Sequence, residues 1–183
     1  MPKPLRGVQR RSPPPEGVTP IERLIAHDDI QQLANRYAVA VGAQAFDVIA
    51  ELFVEDVAVA PGAQGREALR EFYERTLERG SVTWLLIGDH VIDLTAADRA
   101  EGIVYCYCET GTERKWMRQL IAYEDRYERH AGQWYFRSRR HELVYGVEMD
   151  GSPIAQPPAN WPMSNIGRGT VPFGWPTWKP AGG

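Results

Sequence analysis

The stretch KWMRQLIAYEDRYERHAGQWYFRSRRHELVYGVE, residues 115–148, decides the fold. It divides into two long strand-like runs, 115–130 and 133–148, separated only by Ala131-Gly132. So short a separator closes an antiparallel hairpin. Two more runs lie upstream, 81–94 and 99–110, with Thr95-Ala96-Ala97-Asp98 between them and Gly111-Thr112-Glu113 after them. Together the four make a meander. Several exceed an average strand, so the sheet must twist and bend, at Gly88 and near Cys106.

Before Gly80 the apolar period is helical. Thr19-Pro20-Ile21-Glu22 is a capping box with proline at the first helical position. Ile21, Leu24, Ile25, Ile30, Leu33, Tyr37 and Val41 recur at helical spacing as far as Gly42. Asp28 and Gln31 could form a second capping box, which would break the helix near His27. A short helix follows from Phe46 to Phe53, then a strand from Val57 to Ala60. A third, amphipathic helix covers 66–79 and is stopped by Gly80. Helices first and a meander after predict an α+β domain over residues 19–148: a cone-shaped, curved antiparallel sheet packed against three N-terminal helices.

The flanks differ. Residues 1–18 are basic and proline-rich and lack the apolar stretch of a secretory signal. They read as a disordered or extended arm, with a short organellar leader as the alternative. Residues 149–183 hold seven prolines together with Trp161, Phe173, Trp175 and Trp178. That proline density opposes regular structure, and that much aromatic surface needs cover. The expectation is an irregular arm that wraps its own barrel, caps a pocket or grips a neighbouring subunit.

A chain of 183 residues can bury about 70% of its surface in one core without staples. With 43% apolar and 25% charged residues it has the composition of a soluble globule. A net charge of −3 offers no basic excess for nucleic acid or an anionic membrane. No run approaches 18 apolar residues, so no transmembrane helix is expected and the cytoplasm is the default location. The two cysteines, Cys106 and Cys108, exclude a disulfide framework. Two residues apart on one strand, they make too few ligands for zinc and read as small core residues. No nucleotide fingerprint, P-loop or nucleophile elbow occurs. No cofactor or metal is expected.

Five pieces, in order, carry a family resemblance: Ile30-Gln31-Gln32-Leu33 with Arg36-Tyr37, Leu52-Phe53-Val54-Glu55-Asp56, Gly65-Arg66-Glu67-Ala68, Tyr123-Glu124-Asp125-Arg126-Tyr127, and Gly132-Gln133-Trp134. Over residues 20–148 the chain resembles the SnoaL-like branch of the nuclear-transport-factor-2-like superfamily, which includes scytalone-dehydratase-like members. The resemblance implies an apolar pocket inside the cone and metal-free acid–base chemistry of the dehydratase, cyclase or isomerase kind. In dehydratase-like members a tyrosine and an aspartate lie five residues apart on the first helix, and a histidine lies on the first long strand. Tyr37 matches the tyrosine. The aspartate position falls on Gly42 and the histidine position on Leu85. Any chemistry here must use other residues.

Strand alternation supplies the candidates. With Leu85 inward, Ser81, Thr83, Ile87 and Asp89 face the same way. By the family register Cys106 and Cys108, then Gln119, Ile121 and Tyr123, then Arg139, His141 and Leu143 also face in. A one-residue bulge would invert such a list and bring Trp84 inward. His141 is the candidate proton shuttle, kept neutral by neighbouring cations. Tyr37 and Arg139 are candidate oxyanion stabilisers; Arg139 could otherwise pair with Glu142 or Asp125. Asp89 is the acidic candidate, ahead of Asp56 and Glu109. The candidate walls are Val41, Val59, Trp84, Leu85, Cys106, Cys108, Gln119, Ile121 and Tyr123. The expected partner is a small hydrophobic, cyclic molecule that the chain turns over as a lyase or isomerase, or binds without chemistry. Tyr105 and Tyr107, on the opposite face, point to a homo-oligomer, dimer or trimer.

Overall fold

The structure, a computed structural model, describes residues 13–77 and 80–180. Most of the N-terminal arm expected over 1–18 lies outside the described residues. Helix α1 spans Pro20–Gly42. Its start is the capping box: Thr19 Oγ1 accepts from the Glu22 amide, and the Glu22 carboxylate accepts from the Thr19 amide at 2.8 Å. No break occurs near His27, because Ala26, Ile30, Leu33 and Ala34 bury one continuous stripe. Helix α2 is shorter than expected, Phe46–Glu51. The chain beyond it is drawn off to the sheet, where the amide of Phe136 donates to Leu52 O and that of Val54 to Phe136 O. A small hairpin, β1 Ala58–Ala60 and β2 Ala63–Gln64, precedes helix α3, Arg66–Thr76. The sequence reading had only the first of these two strands.

The meander is β3 Val82–Ala96, β4 Arg99–Gly111, β5 Trp116–His130 and β6 Gln133–Glu148, antiparallel in that order. The fold is therefore α+β, three helices on one face of a curved four-stranded sheet. The core joins Ile30, Leu33, Tyr37 and Val41 of α1 to Ile92, Leu94, Tyr127, Trp134 and Phe136 of the sheet.

Two bulges position the site. On β3, Ile87 pairs with Cys106 but His90 pairs with Val104, so three steps on β3 face two on β4. Gly88 stands at this bulge, and a Cβ there would lie 3.1 Å from Tyr105 O. On β6, Ile121 faces Leu143 while Leu120 faces Tyr145. Each bulge reverses the faces of the residues beyond it.

The arm beyond Glu148 contains one short 3-10 turn, Pro153–Ala155, and otherwise no regular structure among its described residues. It packs on its own chain. Ile154 joins Val82 and Trp116 in a separate apolar cluster flanked by Trp84, Phe173 and Trp178. Trp178 Nε1 donates to Ser81 O at 3.1 Å, and Thr177 Oγ1 to Ala43 O. The arm thereby ties the end of α1 to the start of β3.

Candidate functional site

The inner face of the sheet carries one buried polar cluster. Tyr123, Asp125 and Tyr127 alternate along β5 and are all buried. Arg139 lies on β6 directly opposite Asp125. Its guanidinium donates to Asp125 from both Nε, at 2.9 Å, and Nη2, at 2.7 Å. The two side chains are 3% and 0% exposed. Of the two partners the sequence left open for Arg139, the fold selects Asp125. Rings cover the guanidinium: its central carbon lies 4.4 Å from the Tyr37 centroid and 4.3 Å from those of Tyr123 and Phe136. Arg139 Nη1 is buried and has no hydrogen-bond partner.

A line of hydrogen bonds continues from the carboxylate. Tyr127 Oη donates to Asp125 at 2.7 Å and lies 3.0 Å from His90 Nε2. The phenol proton is engaged with Asp125, so the phenol oxygen accepts and Nε2 carries the imidazole hydrogen. Nδ1, the acceptor nitrogen, is buried without a partner. Burial lowers the His90 pKa from 6.5 to about 4, against an opposing pull from Asp125. Burial also raises the Tyr37 and Tyr127 phenols, so both stay neutral donors. Tyr37 Oη is 2.9 Å from Tyr73 Oη of α3. Burial alone would lower Arg139; the charge and hydrogen bonds of Asp125 outweigh it and hold the cation above its ordinary range.

The sequence-derived candidates distribute as follows. Tyr37, Arg139 and Tyr123 come together on the inner face. Cys106, Cys108 and Ile121 form the apolar patch beside them, with Leu85 packed on it. Both cysteines are free thiols, and burial raises their pKa values. Gln119 is half-buried next to Gly146. Val41 is in the core and Val59 at its margin. Three placements correct the expectation. Asp89 is exposed, because the β3 bulge inserts a residue just before His90 and turns His90 inward instead. Trp84 lies before that bulge and packs on Trp175 of the arm, not in a cavity. His141 shares the inner face with Tyr123, 5.6 Å between rings, but it is exposed at the rim. Its pKa is lowered, as expected, but partial burial is the cause, and Glu142 opposes it.

The sequence reading missed His90, Asp125 and Tyr127 as site residues. Tyr123 was placed inward, so the same alternation could have placed Asp125 and Tyr127 beside it. The implied apolar hollow at Arg139 is packed with rings: Tyr37 meets Phe136 at 5.9 Å, Tyr123 at 6.2 Å and Phe53 at 6.5 Å. Open clefts lie elsewhere, among them one of about 850 Å³ within the arm between Pro158, Trp161, Arg168 and Phe173. A second, about 680 Å³, runs between Asp56, Arg66, Glu128 and Arg137; a third, about 400 Å³, lies between Gln44, Phe46, Leu77 and Thr177. Asp56 is an exposed partner of Arg137 at 2.5 Å. Glu109 pairs with Arg118 and Trp116, away from the cluster. Gly42 has a packing reason: a Cβ there would lie 3.3 Å from Thr83 O and 3.5 Å from the Trp84 ring. Among the described residues no group of three or more metal-ligating side chains gathers. No described helix is long and apolar enough to cross a membrane.

Three helices on a curved meander, with a buried polar cluster on its inner face, define a class of small α+β cone proteins. A family model described as SnoaL-like domain matches residues 22–140, and the chain belongs to that family. Solved structures share the fold. A candidate scytalone dehydratase from Novosphingobium aromaticivorans is 23% identical, with 76% of this chain and 99% of that one covered and a TM-score of 0.62. The hexachlorocyclohexane dehydrochlorinase LinA-type3 from Novosphingobium barchaimii is 18% identical over 73% of this chain and 97% of that one, TM-score 0.65. A protein of unknown function from Mycobacterium tuberculosis is 27% identical over 69% and 77%, TM-score 0.59. No curated protein matches the sequence significantly.

Proposed function

We propose that the chain is a cofactor-independent acid–base catalyst of the lyase or isomerase type, acting on a small hydrophobic, cyclic molecule. The observation that carries this reading is the unpartnered Nη1 of Arg139, a buried cation edge among neutral phenols. A substrate oxygen that gains negative charge on proton loss would be stabilised there, with Tyr37 as a second donor. His141, at the rim and biased to the neutral form, takes the proton. The electron pair then expels a leaving group from the neighbouring carbon, or is reprotonated at another carbon of the enolate. Leu85, Ile121 and Tyr123 supply apolar wall.

The test is carbon-bound proton exchange in D₂O with small cyclic ketones, followed by proton NMR. The expected result is deuterium uptake above the buffer rate, cut by about 100-fold or more in His141→Ala. Uptake equal to the buffer rate would remove the catalytic reading.

A second reading is a binding module that holds the same molecule without chemistry. Gly42 and Leu85 at the family's acid–base positions favour it, as does the ring-filled inner face. Ligand binding without exchange would select it. Under either reading we infer a homo-oligomer formed through the outer face of the sheet.

A further inference from the structure

The cleft of about 680 Å³ between residues 54–56, the start of α3 and the β5–β6 hairpin takes no part in the function proposed above. Its volume is that of a small-molecule site. We propose that it is a second ligand site, which takes an organic monocarboxylate on the guanidinium of Arg66.

Arg66 is fixed from two sides. Its Nε donates to Phe53 O at 2.8 Å, and its central carbon lies 5.5 Å from the centroid of the Tyr135 ring. Nη1 and Nη2 remain. Neither has a hydrogen-bond or ion-pair partner among the described residues, and Arg66 lines the cleft. With Nε spent, the free edge is the end-on fork, whose two parallel N–H groups match the two oxygens of a carboxylate. The carbonyl and the ring hold the guanidinium in advance, so binding costs little side-chain freedom.

The neighbouring charges are already matched. Arg137 Nη1 donates to Asp56, and its Nε lies 3.7 Å from Glu128. Glu128 also accepts from Arg99 Nη1 at 2.7 Å and pairs with His130 at 3.2 Å. Glu55 is exposed, where water and salt screen it. One unspent cation therefore meets one negative charge. A phosphate dianion would bring a second charge against Glu55, Asp56 and Glu128, which selects against it. Val54 and the Tyr135 ring offer apolar surface to the body of an organic acid.

The site is separate from the inner-face cluster. Phe53 stands between them: its carbonyl holds Arg66, and its ring packs at 5.0 Å on Phe136, which covers Arg139.

The experiment is calorimetric titration of the full chain at neutral pH with benzoate and, separately, with inorganic phosphate. Benzoate should bind, and phosphate should bind at least about 10-fold more weakly. Arg66→Lys keeps the charge and loses the fork, and should weaken benzoate by about 10-fold. Asp56→Asn removes an anion and releases Arg137 at little cost to the fold, and should tighten benzoate several-fold. Circular dichroism checks both variants. If Arg66→Lys does not fold, amide shifts on adding benzoate to the native chain take its place, and they should centre on Val54, His130 and Tyr135. No binding of benzoate would overturn the inference, as would phosphate binding equally well. So would native affinity in a folded Arg66→Lys chain, an unchanged affinity in Asp56→Asn, or shifts confined to Tyr123 and Leu143 on the inner face.

Discussion

His90 is the residue on which pH should act most visibly. Its neighbours are Tyr127 and Asp125 on β5, Arg139 on β6 and His27 on α1. The folded chain holds it near 4, against 6.5 for the free imidazole, because protonation would place a charge in a desolvated site. Between those values the unfolded chain binds more protons, so stability rises with pH across the window. The contribution is complete above 6.5 and is lost as pH falls through about 4. It amounts to at most about 3 kcal/mol. Urea midpoints measured from pH 7 to pH 4 should fall, and His90→Gln should flatten the slope. A wild-type midpoint that stays level would count against a buried neutral imidazole. The residue itself was visible in the sequence; its direction was not. Alternation counted from Leu85 put Asp89 inside, and one extra residue at Gly88 exchanged the two. Tyr123 and the cysteines were legible because no bulge lies between them and Leu85, whereas Arg139 lies beyond the β6 bulge and was reached only through the family register.

At the scale of elements, the contact between β4 and the polar line is tight. A Cβ on Gly102 would lie 2.9 Å from Val91 O, 3.2 Å from the Tyr127 ring and 3.4 Å from its hydroxyl. Gly102→Ala should push Tyr127 off Asp125 and cost about 1–3 kcal/mol, read as a lowered urea midpoint. A neutral effect would mean that β4 yields easily and the line is loose. The four strands, the capping box and the order of elements were legible because each rests on local chemistry: turn separators, hydroxyl caps, periodicity. The β1–β2 hairpin was not, because two-residue pairings carry too little periodicity to see. The early end of α2 was hidden for another reason, since Leu52 and Val54 bond to Phe136, far away in sequence.

For the whole molecule, the outer face of the sheet is one uncovered apolar surface among the described residues. Leu86, Tyr107, Leu120 and Tyr145 stand directly opposite one another across all four strands. Leu86 and Tyr145 are exposed, and Tyr105 stands exposed beside them. Such a row fits the apolar centre of a subunit interface. Light scattering after size exclusion should give a mass above one chain. Leu86→Glu with Tyr145→Glu should reduce it to one chain with unchanged circular dichroism, and a monomeric native protein would refute the pairing. That the tail is irregular was legible from its prolines. Its grip on Ser81 and Ala43 was not, since the acceptors are main-chain oxygens that any sequence provides. That grip bears on redesign. Trp175 backs Trp84, and Trp84 with the Thr83 carbonyl fills the space beside Gly42. A carboxylate grafted onto that glycine would meet a wall and an oxygen of like polarity. Installing an acid at position 42 therefore takes more than one substitution, and it would have to begin with the tail.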